Sequence, residues 1–171
     1  MNWIEVNGTG LRYELSGDGP ATLVLIHEMG GTLDSWDQGR NALNNGRQVL
    51  RYDTRGAGLS EKIDGTVTWD RMADDLKALL DALNIAGKVG LAGIAVGGAI
   101  GVHFAVRYPD RAGALVAHGP ATGVAADRKH GLRLIHVRLS SEEGSGIPSV
   151  EVKFVDIGKN TGGEGGELVH Y

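Results

Sequence analysis

The segment Leu91-Ala92-Gly93-Ile94-Ala95-Val96-Gly97-Gly98 constrains this chain more than any other. It joins a short apolar run, Lys88 to Leu91, to a helix-like stretch from about Val96 to Tyr108 that Pro109 stops. Glycines stand two residues before and two residues after Ala95. That spacing belongs to a strand-to-helix turn too tight for side chains at its flanks. The central residue then projects at the head of the helix, over the carboxyl end of a sheet. A nucleophile is expected at such a point, and this chain has a methyl group there.

The flanking sequence alternates between strand and helix signals. Trp3 to Val6 and Leu11 to Leu15 read as two strands of a hairpin, separated by the turn-rich quartet Asn7-Gly8-Thr9-Gly10. Thr22 to Ile26 is a continuous apolar run, the mark of a strand buried on both faces. Gln48 to Tyr52, Lys88 to Leu91 and Ala114 to Ala117 read the same way. The clearest helix has Thr68 as N-cap and Asp70 in its first turn, where the helix dipole favours a negative charge. Met72, Leu76, Leu79, Leu80 and Leu83 then form one apolar stripe. Strand, helix, strand, helix in succession implies an α/β chain, a mostly parallel sheet with helices on its faces.

Two further blocks follow predicted strands. His27-Glu28-Met29-Gly30-Gly31 stands where a tight turn would aim a backbone N–H into a cleft. Arg51-Tyr52-Asp53-Thr54-Arg55-Gly56-Ala57-Gly58-Leu59-Ser60 follows another strand. Taken with the Ala95 turn, in this order and spacing, these blocks resemble the α/β-hydrolase superfamily. Within it they are most similar to 3-oxoadipate enol-lactonases and related small-molecule hydrolases, over roughly residues 10 to 123. The resemblance implies a three-layer α/β/α sandwich and acyl transfer on small carboxylic esters or lactones. It also implies an oxyanion site at the amides of Met29 and Val96, with Glu28 and His27 beside it.

The departures from the family are as informative as the match. The family has serine, or sometimes cysteine or aspartate, at the position of Ala95; alanine has no lone pair to attack with. The chain as written is therefore expected to be inactive in acyl transfer. A natural loss and an introduced change both account for the alanine. The competing reading is a non-catalytic protein that keeps the pocket as a ligand or partner site. Glu28 stands where the family usually has glycine. No segment after Arg128 matches the family's closing acid and histidine, so the core is expected at 1–123 and a diverged or truncated tail at 124–171.

The remaining candidates are weighed residue by residue. His118, ending the strand beside the turn, is the base candidate, with a solvent-facing rim histidine as the alternative. His27 is expected to fix its loop, and His103 to pack on or face out from its helix. His130, His136 and His170 lie in the unmatched tail. Asp53 and Arg55 read as a structural pairing within their turn, and a Glu28–His27 pair is conceivable but neighbouring strand-end side chains tend to point apart. His27, Glu28 and Asp53 lack metal-ligand spacing, so no metal is expected. Gly93 to Gly98 lacks the Gly-x-Gly-x-x-Gly register, and the stretch 162–166 has no Lys-Ser/Thr pair, so no nucleotide cofactor is expected.

Composition adds exclusions. The 171 residues carry a net charge of -4 and no basic block, which argues against nucleic acid as a partner. There is no cysteine for a disulfide or thiolate site, and no signal-like N-terminus or membrane-length run, so a cytoplasmic protein without a membrane partner is expected. In the tail, Leu132 to Leu139 fits neither period, Ser140 to Gly146 reads as a loop, Glu151 to Val155 as an edge strand, and Gly158 to Gly166 as a stretch prone to disorder. A core that ends near residue 123 leaves a sheet edge through which a homodimer would form.

Overall fold

The computed structural model describes residues 2–121, 133–141, 148–156 and 168–170. β1 (Asn2–Val6) and β2 (Thr9–Ser16) form the expected hairpin. Its loop is tighter than the sequence suggests. Val6 pairs with Thr9, so only Asn7 and Gly8 turn the chain, with φ of 49° and 67°. Two residues at positive φ match the twist of the flanking strands, and Asn-Gly adopts them at least cost.

β3 (Thr22–Ile26), β4 (Gln48–Tyr52), β5 (Val89–Ile94) and β6 (Ala112–His118) complete a six-stranded sheet of order β1-β2-β4-β3-β5-β6. β4, β3, β5 and β6 run parallel, while β1 and β2 are antiparallel. The chain passes from β3 to β4 on one side and later returns to β5 on the other. Such a reversal opens a crevice outside the carboxyl ends of the two central strands, here β3 and β5.

α2 (Trp69–Ala82) and α3 (Val96–Arg107) cover one face of this sheet. Thr68 caps α2 by accepting from Arg71 N–H, and Leu76, Leu79 and Leu80 of its stripe are fully buried. Each such side chain removed from water contributes about 2 kcal/mol. They pack with Val24, Ile26, Leu50, Ile100 and Phe104 into one core. The second face is covered near β3 and β4 by a 3-10 helix, Leu33–Gly39, running into the one-turn α1 (Arg40–Leu43). Sequence periodicity did not reveal this pair, because one turn offers no period to detect.

β6 departs from the expectation of two-sided burial. Ala112, Leu115 and Ala117 are buried, whereas Ala114, Val116 and His118 are exposed. α3 covers one face only, Gly101 lying against Leu115. In the tail, the ambiguous stretch is strand β7 (Arg133–Ser141), paired antiparallel with β8 (Pro148–Asp156). β8 also pairs with β9 (Leu168–His170), so the stretch read as an edge strand is the middle of a three-stranded sheet. Ser140 and Ser141 belong to β7, and the rest of the expected loop lies outside the described residues, as does the glycine-rich stretch after Gly158.

Candidate active site

Ala95 sits between β5 and α3 with φ 49° and ψ -109°, a region that L residues rarely occupy. Three hydrogen bonds hold it there. Its N–H donates to the His118 carbonyl (2.9 Å), and its own carbonyl accepts from Ala99 N–H and Ala121 N–H (both 3.0 Å). The flanking glycines are required by contact. A Cβ on Gly93 would collide with the Gly97 carbonyl, and one on Gly97 with the Ile26 carbonyl of β3. α3 is therefore seated directly on the end of β3. The Ala95 methyl is half-buried and lies outside the closed core.

The loop after β3 is set by His27, which is buried. Its Nε2 lies 3.0 Å from Thr54 N–H, which can only donate. Nε2 is therefore the acceptor, and the neutral ring carries its proton on Nδ1. Nδ1–H donates to the Glu28 carbonyl at 2.7 Å, and Gly31 N–H donates to the same oxygen at 3.1 Å. In a trans peptide the N–H points away from the carbonyl. Two donors on the Glu28 carbonyl thus fix the opposite heading of Met29 N–H. Among the described residues neither Met29 N–H nor Val96 N–H donates a hydrogen bond.

Glu28 does not form a carboxylate–imidazole pair with His27. Its Oε1 accepts from Ser35 Oγ at 3.0 Å, and Ser35 Oγ accepts from Thr32 N–H at 3.2 Å. Thr32 caps the 3-10 helix from its own side by accepting from Asp34 N–H, completing a reciprocal cap. The Thr32–Ser35 spacing is the sequence signal that could have located this helix.

Asp53 and Arg55 are structural, but they do not pair with each other. The Asp53 carboxylate is fully buried and accepts from Leu33 N–H (2.7 Å), Leu59 N–H (2.8 Å) and Arg12 Nη1 (3.3 Å). Arg55 instead makes a two-pronged pair with buried Asp75, through Nε at 2.7 Å and Nη2 at 2.8 Å. Arg12 also binds Asp34 and holds that carboxyl below the usual aspartate range. Arg51 donates to Glu14, Asp37 and the Leu33 carbonyl. The arginines nearest the carboxyl ends of the strands are thus committed to protein acceptors. Tyr52 has a buried phenol whose ionisation is pushed far up, first by burial and then by Asp75, so it stays protonated.

His118 is joined to the turn by its carbonyl and its register with Ile94, while its side chain is exposed. His103 lies on α3 and bonds Asp70 of α2 at 2.8 Å. His130, and the side chains of His136 and His170, lie outside the described residues. An open concavity of 370 Å³ lined by Asp81, Asn84, Ile85, Gly87 and Arg111 sits at the start of β5, the far end from Ala95. Arg111 spans it, bonding Asp81 and the carbonyls of Ile85 and Gly87, so it belongs to the packing of that end. No helix among the described residues is long and apolar enough to cross a membrane.

A mostly parallel sheet with helices packed on it and a strained, glycine-flanked turn from β5 into α3 defines an α/β fold of the hydrolase type. The chain belongs to the α/β-hydrolase fold family, whose model matches residues 21–135. It is 40% identical over 112 residues to a dihydrolipoyllysine-residue acetyltransferase component of an acetoin cleaving system from Pseudomonas putida, covering 65% of this chain and 30% of that protein. It is 37% identical over 111 residues to the putative carbamate hydrolase RutD of Caulobacter vibrioides, covering 63% and 41%. The enol-lactonase from Burkholderia xenovorans superposes with a TM-score of 0.64 at 36% identity, covering 67% of this chain and 45% of that one. The chain thus spans less than half the length of each.

Proposed function

We propose that the crevice between β3 and β5 binds small carboxylic esters or lactones, in the manner of an acyl-transfer hydrolase whose nucleophile position is Ala95. The observation that carries this reading is the backbone of Ala95, held at positive φ between Gly93 and Gly97 and left outside the closed core. A glycine would cost less at such a φ; the strain makes sense where a side chain must be presented to a ligand. The similarity to an enol-lactonase supports the same substrate class, and that to a putative carbamate hydrolase supports hydrolysis at an acyl-type carbon.

In the serine form, the hydroxyl oxygen attacks the carbonyl carbon and its proton passes to a base, for which His118 is the candidate. Met29 N–H and Val96 N–H receive the oxyanion, with the N-terminus of α3 adding its dipole. The leaving alkoxide takes the proton back from the base. With a methyl at 95 the first bond cannot form, and the chain binds esters without becoming acylated. Two copies would pair through β6, which among the described residues is hydrogen-bonded to β5 alone, although β7 lies close by.

The test is Ala95→Ser assayed for p-nitrophenyl ester turnover beside the unmodified chain. A gain that falls about a hundredfold when His118→Ala is added supports both assignments. A folded Ala95→Ser protein with no gain removes the acyl-transfer reading. Sedimentation of the unmodified chain at rising concentration reads the pairing, and a monomer throughout removes it.

A further inference from the structure

We infer that Glu28 sets the charge class of the ligand, so that the crevice takes neutral or cationic acyl groups and turns away those bearing a carboxylate. This rests on the proposed ester and lactone site. Glu28 immediately precedes Met29, whose amide is one of the two oxyanion donors, and its side chain cannot swing freely. Ser35 Oγ holds Oε1 at 3.0 Å, and the carboxylate lies against Gly31, where even a Cβ would come within 2.5 Å of Oε1. The side chain is only half-exposed.

Among the described residues no compensating cation pairs with it, and the arginines of this end are engaged elsewhere. Arg12 is held by Asp34 and Asp53, Arg51 by Glu14 and Asp37, and Arg55 by Asp75. Asp34, on the same loop, adds a second acidic group, and Arg12 shares its single charge between it and Asp53. His27 and Asp53 at this end are buried and bonded, Asp37 pairs with Arg51, and His118, exposed at the end of β6, lies across β5 from the loop. The ligand therefore meets a fixed carboxylate, without a cation partner among the described residues, on the residue before the proposed Met29 donor. A like charge within a Debye length, partly screened by water, weakens binding by on the order of tenfold.

The alanine at 95 makes this measurable at equilibrium, because an intact ester persists in the site. The probes are phenyl butyrate and monophenyl succinate, similar in shape and different in charge, titrated into the full chain by NMR. At low salt the unmodified chain is expected to prefer the butyrate by about tenfold or more. That preference should shrink at high salt, and Glu28→Gln should remove most of it at low salt. Ser35→Ala, which keeps the charge, should leave a preference. A butyrate-to-succinate ratio that neither salt nor Glu28→Gln changes overturns the role of Glu28. Should Glu28→Gln fail to fold, a salt-independent ratio in the unmodified chain does so alone. Failure of both esters to bind the folded chain sinks the site itself, an outcome distinct from a loss of selectivity.

Discussion

The two sides of the crevice are built on opposite plans. On the β3–β4 side a network of buried polar contacts dominates: Asp53 with two amides and Arg12, His27 with Thr54 and Glu28, Arg51 with three acceptors, although the Tyr52 hydroxyl and the Arg12 and Arg51 Nε atoms find no partner among the described residues. On the β5–β6 side the working elements are a methyl group, a strained backbone and a strand face open to water. The first plan fixes geometry, since each buried polar group loses its desolvation compensation if a partner moves. The second presents a group to the crevice and depends on backbone contact for its position. A frame of paired polar groups can hold a turn whose own side chain takes no part in holding it.

Four measurements bear on this contrast, in order of expected effect. Gly97→Ala should be the most damaging, because its Cβ would collide with the Ile26 carbonyl; a loss above about 4 kcal/mol in denaturant unfolding is expected. Unaltered stability would mean the two sides are not joined at that contact. Asp53→Ala strips acceptors from two buried amides and a buried guanidinium, and should cost about 3 to 5 kcal/mol. A cost below about 1 kcal/mol would erase the difference between the plans. Ala95→Gly, by contrast, should stabilise the chain by about 1 kcal/mol by relieving the positive φ. Destabilisation there would show the methyl to be a packing group after all.

The smallest effect concerns pH. Asp34 and Asp81 have folded pKa values lowered by hydrogen bonds, from Arg12 for the first and from Lys77 and Arg111 for the second. A lowered carboxyl pKa stabilises the fold above the unfolded value near pH 4, and that contribution is lost as pH falls through the folded value. Both carboxyls are about half-exposed, so the loss should be slight. Melting temperature followed below about pH 4 should fall less for Arg12→Lys than for the unmodified chain, since a lysine cannot make the two-pronged contact.

Much of the sheet was legible because its strands are apolar runs bounded by glycine and proline, and α2 because its stripe and cap coincide. The Ala95 turn was legible because glycines at 93 and 97 are a contact requirement written locally. The partners of Asp53 were not. Leu33, Leu59 and Arg12 lie on three separate segments, and no spacing rule joins them. For the same reason Asp53 and Arg55, close in sequence, were read as partners although each binds elsewhere. The β6 run misled because an apolar strand reads alike whether one face or both are covered. Glu28 was visible as an oddity in sequence, but its anchoring by Ser35 required the fold.

The seating of α3 on the end of β3 has an evolutionary consequence. Where helix and strand meet without room for a single carbon, the distance between the amides of Met29 and Val96 is set by main chain alone. Exchange of the group carried at 95 then leaves the cradle unmoved. In such a scaffold turnover and recognition are separable traits, and one can be shed in a single substitution while the other persists.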